Sequence, residues 1–148
     1  MADYRELELL LAKGDFQAAD RLTSLKMCEA AGTALPTPAS LRGWLYFTEV
    51  NQIRTEDLLT INNLWLRYSD GKFGYSVQRK LWLSVNQNWE KLWESIGWKK
   101  GGSFLRYPHE FIWDLQAPKG HLPLSNQIRG NKTLLAIFSH PAWRMERV

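Results

Sequence analysis

The chain has 148 residues, a net charge of +4 and a pI of about 9.3. Hydrophobic residues make up 45% of it and charged residues 23%, a balance that is typical of a folded domain and excludes an intrinsically disordered chain. The single cysteine, Cys28, excludes an intramolecular disulfide and a multi-cysteine metal site. The basic residues are dispersed rather than clustered on one element, so the charge alone does not indicate a nucleic-acid partner.

Residues 1–32 are predicted to form an N-terminal helical hairpin. Gly14 and Asp15 separate its two helices, and Gly32 ends the second one. The inner faces are indicated by apolar residues at helical spacing, which are Tyr4, Leu7, Leu10 and Leu11 in the first helix and Ala18, Leu22 and Leu25 in the second. A loop with two prolines follows over residues 33–43.

An aromatic cluster from Trp44 to Val50 comes directly after this loop. Its residues fit neither the alternation of a strand nor a long helical stripe. Two interpretations stay open here: a lid that packs on the core, or a surface that binds a ligand.

The stretch from Asp57 to Trp82 predicts a second helical hairpin. Leu58, Ile61, Trp65 and Tyr68 lie on one face of its first helix, which Thr55 or Asp57 can cap. Asp70 and Gly71 end that helix. The next helix is predicted to begin near Ser76, with Val77, Leu81 and Val85 facing inward and with Arg79 and Lys80 facing water.

The last third of the chain predicts two further helices and long loops. Trp89, Leu92, Trp93 and Ile96 define one helix, with a stop at Gly97, and another is expected over Lys132–Ser139. Between them we expect a flexible loop over residues 98–107, a short helix over 109–115 and one or two helical turns within 124–130. The fold class is therefore all-α: a single compact helical domain of about seven or eight helices, with two long loops that flank a ligand cleft.

No catalytic or metal-binding constellation stands out in the sequence. The three histidines, His109, His121 and His140, lack a second ligand at helical spacing, so a protein-built metal site is not expected. His121 is interpreted as a structural hydrogen-bonding residue, with axial ligation of a metalloporphyrin as the alternative. Nucleophile elbows and phosphate loops are absent as well, so we do not expect an enzyme.

Four segments of the chain resemble the Gun-four (genomes uncoupled four) family, whose members are porphyrin-binding regulators of magnesium chelatase. They are LWLRYSDGKFGYSVQRKLW (residues 64–82), WLYFTEV (44–50), FIWDLQAPKGHLPL (111–124) and NQIRG (126–130). The resemblance implies a helical domain over residues 1–148 that binds protoporphyrin IX or Mg-protoporphyrin IX. It also implies that the chain stimulates magnesium chelatase through the large subunit of that enzyme, without catalysis of its own.

The porphyrin-binding residues that the resemblance implies are carried over position by position. They are Phe47 and Val50 in the first aromatic segment, Arg106 and Tyr107 at a loop tip, and Arg129 with nearby Lys132. For Arg129, a structural role stays open beside recognition of a porphyrin propionate. Tyr107 stands where the family carries a tryptophan, and the family's extra N-terminal domain or transit peptide is missing from this sequence.

The resemblance also implies a place and a state for the protein. We expect a monomer in the cyanobacterial cytoplasm or the plastid stroma, with peripheral association with thylakoid membranes and no nucleic-acid partner. The first residues match neither a signal nor a transit peptide, so we expect a chain that works where it is made or has been trimmed. Two alternatives remain: a paralogue that binds another tetrapyrrole, and a helical protein-interaction module without pigment.

Overall fold

Helices dominate the computed structural model, which describes residues 3–32, 45–124 and 131–144. Within these ranges lie the α-helices α1 (Arg5–Ala12), α2 (Phe16–Gly32), α3 (Thr55–Tyr68), α4 (Tyr75–Ser84), α5 (Trp89–Ser95) and α6 (Lys132–Phe138). They also contain two 3₁₀-helices (Phe47–Gln52 and Pro141–Arg144) and a two-stranded ribbon of β1 (Lys99–Lys100) and β2 (Ser103–Phe104). The all-α prediction is confirmed. No helix in the described part of the chain is long and apolar enough to cross a membrane.

The N-terminal helices confirm one predicted face and correct the other. In α1, Leu7 and Leu11 are buried as expected. In α2, Leu25 is 44% exposed, and the buried face instead includes the polar residues Asp20 and Thr23. Both polar side chains have distant partners, because Asp20 Oδ1 accepts the Leu124 N–H at 2.7 Å and Thr23 Oγ1 accepts the Trp65 indole N–H at 2.9 Å. An apolar stripe alone does not predict these two polar residues, because each of them is buried against a hydrogen-bond partner far away in the sequence.

The central hairpin of α3 and α4 is confirmed, while two predicted details of it are wrong. Arg54 occupies the N-cap of α3 without a side-chain cap, and Asp57 accepts a hydrogen bond from the Tyr4 hydroxyl at 2.7 Å instead. Arg79 was expected in water, yet its guanidinium Nε donates to the Phe138 carbonyl at 2.9 Å. Both side chains therefore connect the hairpin to other helices, Asp57 to the start of α1 and Arg79 to the end of α6.

A buried amide on α3 sets the start of α4. The Ser76 N–H donates to Asn62 Oδ1 at 2.9 Å, and Asn62 Nδ2 donates to the Ser76 hydroxyl at 3.0 Å. Gly74 lies against this pair with φ +139°, and a Cβ there would come within 2.9 Å of Asn62 Oδ1. The turn therefore requires glycine, and α3 supplies the cap that the α4 sequence lacks.

Four tryptophans pack in series, three of them on α4 and α5 and the fourth, Trp98, directly before β1. Trp89 lies 5.2 Å from Trp82 and 5.3 Å from Trp93, and Trp93 lies 5.4 Å from Trp98, all between ring centroids. Directly after Trp98 the chain forms the β1–β2 ribbon, where a flexible loop was expected. Gly101 and Gly102 close the ribbon with φ +60° and +83°, the backbone that a two-residue hairpin turn needs.

The segment from Leu105 to Leu124 has no helix or strand, so the expected short helix over 109–115 is wrong. Buried side chains of the helical core bind its main chain instead. Gln78 Nε2 donates to the carbonyls of Gly120 and Pro123 at 3.0 and 2.8 Å, and the Trp98 indole donates to the His121 carbonyl at 2.7 Å. The helix predicted near 132–139 is confirmed as α6, whereas the turns expected within 124–130 fall largely outside the described residues.

The stability of the fold should depend on pH through the buried carboxyl of Asp20. Burial raises its pKa from 3.8 to about 7, although the Leu124 N–H and Arg21 oppose the shift. A raised folded-state pKa stabilises the fold below the unfolded pKa, and this contribution is lost as the pH rises through about 7. Asp20→Asn keeps an acceptor for Leu124 and removes the charge. The parent should therefore lose stability relative to the variant as the pH rises. The free energy of unfolding of the variant minus that of the parent should increase by roughly 2–3 kcal/mol between about pH 5 and pH 8, at 1.36 kcal/mol per pKa unit.

Urea titrations of the parent and the variant at both pH values measure this gain. Asp114→Asn, at an exposed position, is the matched control and should show no such growth. An Asp20→Asn difference that stays constant with pH would show that the carboxyl is not held in its neutral form.

Candidate functional site

The first 3₁₀-helix and α6 present an aromatic ring and a cation together. Phe47 is 45% exposed, and Lys132 Nζ lies 5.4 Å from the centroid of its ring. The two elements are joined below the surface, where the Thr133 hydroxyl donates to the Leu45 carbonyl at 3.5 Å. The Glu49 carboxylate accepts the Tyr46 N–H at 2.8 Å, which fixes the start of the 3₁₀-helix. This Phe47–Lys132 pair thus brings two sequence-predicted site residues to one surface, where a cation–π contact stabilises their arrangement.

Val50, in the same 3₁₀-helix, is completely buried. The structure therefore places it in the core beneath the surface that carries Phe47. A direct contact between Val50 and a ligand stays a prediction, and it requires the 3₁₀-helix to shift when the ligand binds.

A second surface, the aromatic tip (residues 105–113), carries Arg106 and Tyr107. Both side chains are exposed, Tyr107 to 45%. The Tyr107 ring is supported by Phe111 and Trp113, whose ring centroids lie 6.4 and 6.1 Å away. Burial, followed by the negative charge of Asp20, raises the pKa of the Tyr107 phenol. The tip therefore lies within electrostatic reach of the first half of α2.

Local hydrogen bonds fix the main chain of the aromatic tip. The Arg106 N–H donates to Glu110 Oε1 at 2.6 Å, and the Glu110 N–H donates to the Arg106 carbonyl at 3.0 Å. The Trp113 indole donates to the Pro108 carbonyl at 2.9 Å. Arg106 and Tyr107 are thus presented by a closed network rather than by a loose loop. Glu110 and Trp113 were not predicted from the sequence, where their only signal is their place within or beside the matched segment 111–124.

His121 joins the aromatic tip to the end of α5. Its Nε2 accepts the Ile112 N–H at 3.1 Å, so the ring proton is assigned to Nδ1, which lies 2.7 Å from the Ile96 carbonyl. Burial lowers the pKa of this imidazole and keeps it neutral. The structural interpretation of His121 is confirmed. Because both ring nitrogens have partners, His121 is not an axial ligand in this conformation.

Arg129, the remaining predicted site residue, lies outside the described residues, as does Trp44. The described residues on either side of 125–130 have defined neighbours. Leu124 donates its N–H to Asp20, and Lys132 lies over Phe47. The structure brings Phe47 to Lys132 and Arg106 to Tyr107, and leaves the position of Arg129 as a prediction.

Among residues 3–32, 45–124 and 131–144, no group of three His, Cys, Asp or Glu side chains could hold a metal ion. What the two surfaces can do is contact a flat apolar molecule with aromatic rings and neutralise acidic groups at its edge.

Solved structures from two organisms share this fold. A ligand-free structure of Arabidopsis thaliana GUN4 superposes with a TM-score of 0.85 at 40% identity, over 97% of this chain and 99% of that one. The structure of GUN4 from Chlamydomonas reinhardtii gives a TM-score of 0.86 at 40% identity, over 96% of this chain and 90% of that one.

Sequence comparison gives the same result. A Ycf53-like protein of Synechocystis sp. is 50% identical over 141 residues, and a chloroplastic tetrapyrrole-binding protein of Arabidopsis thaliana is 40% identical over 146. These matches cover 95% and 93% of this chain but 59% and 54% of those proteins, so the chain spans little more than half the length of such relatives. The profile of the family described as GUN4-like matches residues 1–141. The chain therefore belongs to the GUN4-like family.

Proposed function

We propose that this chain binds a tetrapyrrole, protoporphyrin IX or its magnesium chelate, between the Phe47–Lys132 pair and the aromatic tip. The observation that carries the proposal is the Phe47–Lys132 pair itself, an exposed ring with an ammonium group 5.4 Å from its centroid. A porphyrin presents the complementary surface, a flat apolar disc with two propionates on one edge. Family membership and the Arabidopsis tetrapyrrole-binding relative support this choice of ligand.

Apolar burial would supply most of the affinity. Covering ~400 Å² of apolar surface contributes ~10 kcal/mol at about 25 cal/mol/Å². Association and the ordering of side chains remove a large part of this energy. The closed hydrogen-bond network of the aromatic tip reduces that cost, because Tyr107 is already supported before a ligand arrives.

Cations would set the orientation of the pigment. Lys132 and Arg106 are exposed beside the two aromatic surfaces, and Arg129 lies three residues before Lys132 in the sequence. A charge-assisted hydrogen bond to a propionate contributes roughly 1.5–3 kcal/mol. We therefore assign apolar contact to Phe47 and Tyr107, and propionate recognition to Arg106, Arg129 and Lys132.

We further propose that the loaded protein acts on magnesium chelatase, through its large porphyrin-binding subunit, as a non-catalytic regulator of chlorophyll biosynthesis. In this proposal residues 1–148 form the porphyrin-binding core. The chain would work in a cyanobacterial cytoplasm or plastid stroma, the compartments indicated by relatives from Synechocystis and from a chloroplast.

Titration of tryptophan emission with protoporphyrin IX and with its dimethyl ester tests the ligand and the division of roles. Phe47→Ala should weaken the binding of both ligands roughly 10-fold, because about 1.5 kcal/mol of apolar contact is lost. Arg129→Gln should weaken the binding of the free acid roughly 10- to 100-fold and leave the affinity for the ester unchanged, because the ester lacks carboxylates.

Arg67→Gln is the matched control for charge, since the Arg67 guanidinium lies 3.5 Å from Glu8 on the α1 side of α3. It should bind both ligands as the parent does. If Phe47→Ala and Arg129→Gln also match the parent, the pigment binds elsewhere. If the parent shows no Soret shift with any tetrapyrrole but retains a protein partner in a pull-down, the interaction-module alternative is favoured.

Reconstituted magnesium chelatase tests the regulatory role. Adding the chain should increase the formation of Mg-protoporphyrin IX, and the chain alone should form none. Phe47→Ala should require roughly 10-fold more protein for the same increase, in line with its weaker pigment binding. Stimulation that is identical in the parent and this variant would separate the regulatory role from pigment binding and contradict the proposal.

A further inference from the structure

We propose that His121 is a positioning residue for the ligand site: its neutral imidazole holds the main chain of Ile112, and thereby keeps the Tyr107 face of the aromatic tip ready for the pigment. This inference rests on the proposed function, because it assigns the tip to ligand binding. The His121 side chain itself is completely buried.

The imidazole connects a regular element to an irregular one. On one side its Nδ1–H donates to the carbonyl of Ile96, the C-cap residue of α5, at 2.7 Å. On the other side its Nε2 accepts the Ile112 N–H at 3.1 Å. Its own carbonyl accepts the Trp98 indole N–H at 2.7 Å. The contacts with Ile96 and Trp98 therefore fix His121 to the core around α5, independently of its contact with the tip.

Ile112 lies between the two rings that support Tyr107. Phe111 and Trp113 precede and follow it, and the Phe111 ring also packs 5.5 Å from the His121 imidazole. Since residues 111–113 belong to neither a helix nor a strand, the Ile112 N–H depends on the histidine for an acceptor. Without that acceptor the main chain turns to find another partner, and both supporting rings move with it.

Only the neutral imidazole can make this contact. A protonated ring carries a proton on each nitrogen, so its Nε2–H would oppose the Ile112 N–H. The groups that face the ring are the Ile96 carbonyl, the Ile112 N–H and the Phe111 ring, and none of them is charged. Burial lowers the pKa of the imidazole, so the contact is complete at neutral pH and is lost in acid as the pH falls through that lowered value.

Two substitutions separate the two ends of the imidazole. Gln in place of His121 puts an amide oxygen near the position of Nε2 and keeps an acceptor for Ile112. Asn in its place puts an amide N–H near the position of Nδ1 and keeps only the bond to Ile96. His140 supplies the matched control: it is buried, its Nε2 lies 2.7 Å from the Ile53 carbonyl and its Nδ1 accepts the Ala142 N–H at 3.0 Å.

The experiment follows the Ile112 amide and the Tyr107 ring by NMR in the ligand-free chain, and in parallel measures protoporphyrin IX affinity. His121→Asn should shift both signals, speed exchange of the Ile112 amide and weaken binding at least roughly 10-fold, whereas His121→Gln should stay within a few-fold of the parent. His140→Asn should leave both tip signals unchanged. Lowering the pH of the parent itself should reproduce the His121→Asn shifts, which keeps the test decisive if a variant fails to fold.

Unchanged Ile112 and Tyr107 signals in His121→Asn, or parent-like binding by that variant, would overturn the inference. A parent that binds no tetrapyrrole while the tip signals respond as expected would instead overturn the proposed function, and would leave His121 as a residue that positions the tip for another partner.

Discussion

Residues 120–124 are buried and form neither helix nor strand, and a buried main chain must find hydrogen-bond partners. The rest of the structure depends on how this requirement is met. Gln78 on α4 binds two carbonyls of the segment, Trp98 binds a third and Asp20 on α2 binds the N–H of Leu124. Three buried side chains from distant parts of the sequence therefore supply the hydrogen bonds that a helix would form within its own backbone.

This arrangement explains why exposed site residues can be held in place by a buried core. The aromatic tip is fixed through His121 and Trp98 to the end of α5, and the Phe47–Lys132 pair is fixed where α6 meets the first 3₁₀-helix. Such anchoring has a cost in stability. Within the described ranges, Gln78 Oε1 and Trp82 Nε1 are buried without a hydrogen-bond partner, and the Asp20 carboxyl is buried at a raised pKa. Costs of this kind are common where a site is held ready for a ligand.

Helical periodicity predicted the parts of the fold that local patterns control. The buried faces of α1, α3 and α5 and the start of α6 follow apolar spacing, and glycines mark several of the ends. The polar residues on the inner face of α2 and the path of residues 105–124 could not be predicted in this way. Both involve hydrogen bonds between residues far apart in the sequence, such as Trp65–Thr23 at 42 positions and Asp20–Leu124 at 104, which no local window contains.

The residues of the candidate site were predicted only from the resemblance of the sequence to a family. Phe47 and Lys132, which the resemblance names as site residues, lie together on one surface. Glu110 and Trp113 were not identified from the sequence, and His121 was identified only as a structural hydrogen-bonding residue. Their roles arise from main-chain contacts, and a side chain that binds main chain leaves no characteristic partner in the sequence. Side chains that hold other residues in place are thus harder to find from the sequence than side chains that are proposed to contact a ligand.

A crystal structure of the chain grown with protoporphyrin IX would locate the pigment itself. We expect the pigment to contact both Phe47 and Tyr107, with at least one propionate within hydrogen-bond distance of Arg106, Arg129 or Lys132. A pigment that lies on another surface, or one whose propionates point away from all three cations, would contradict it.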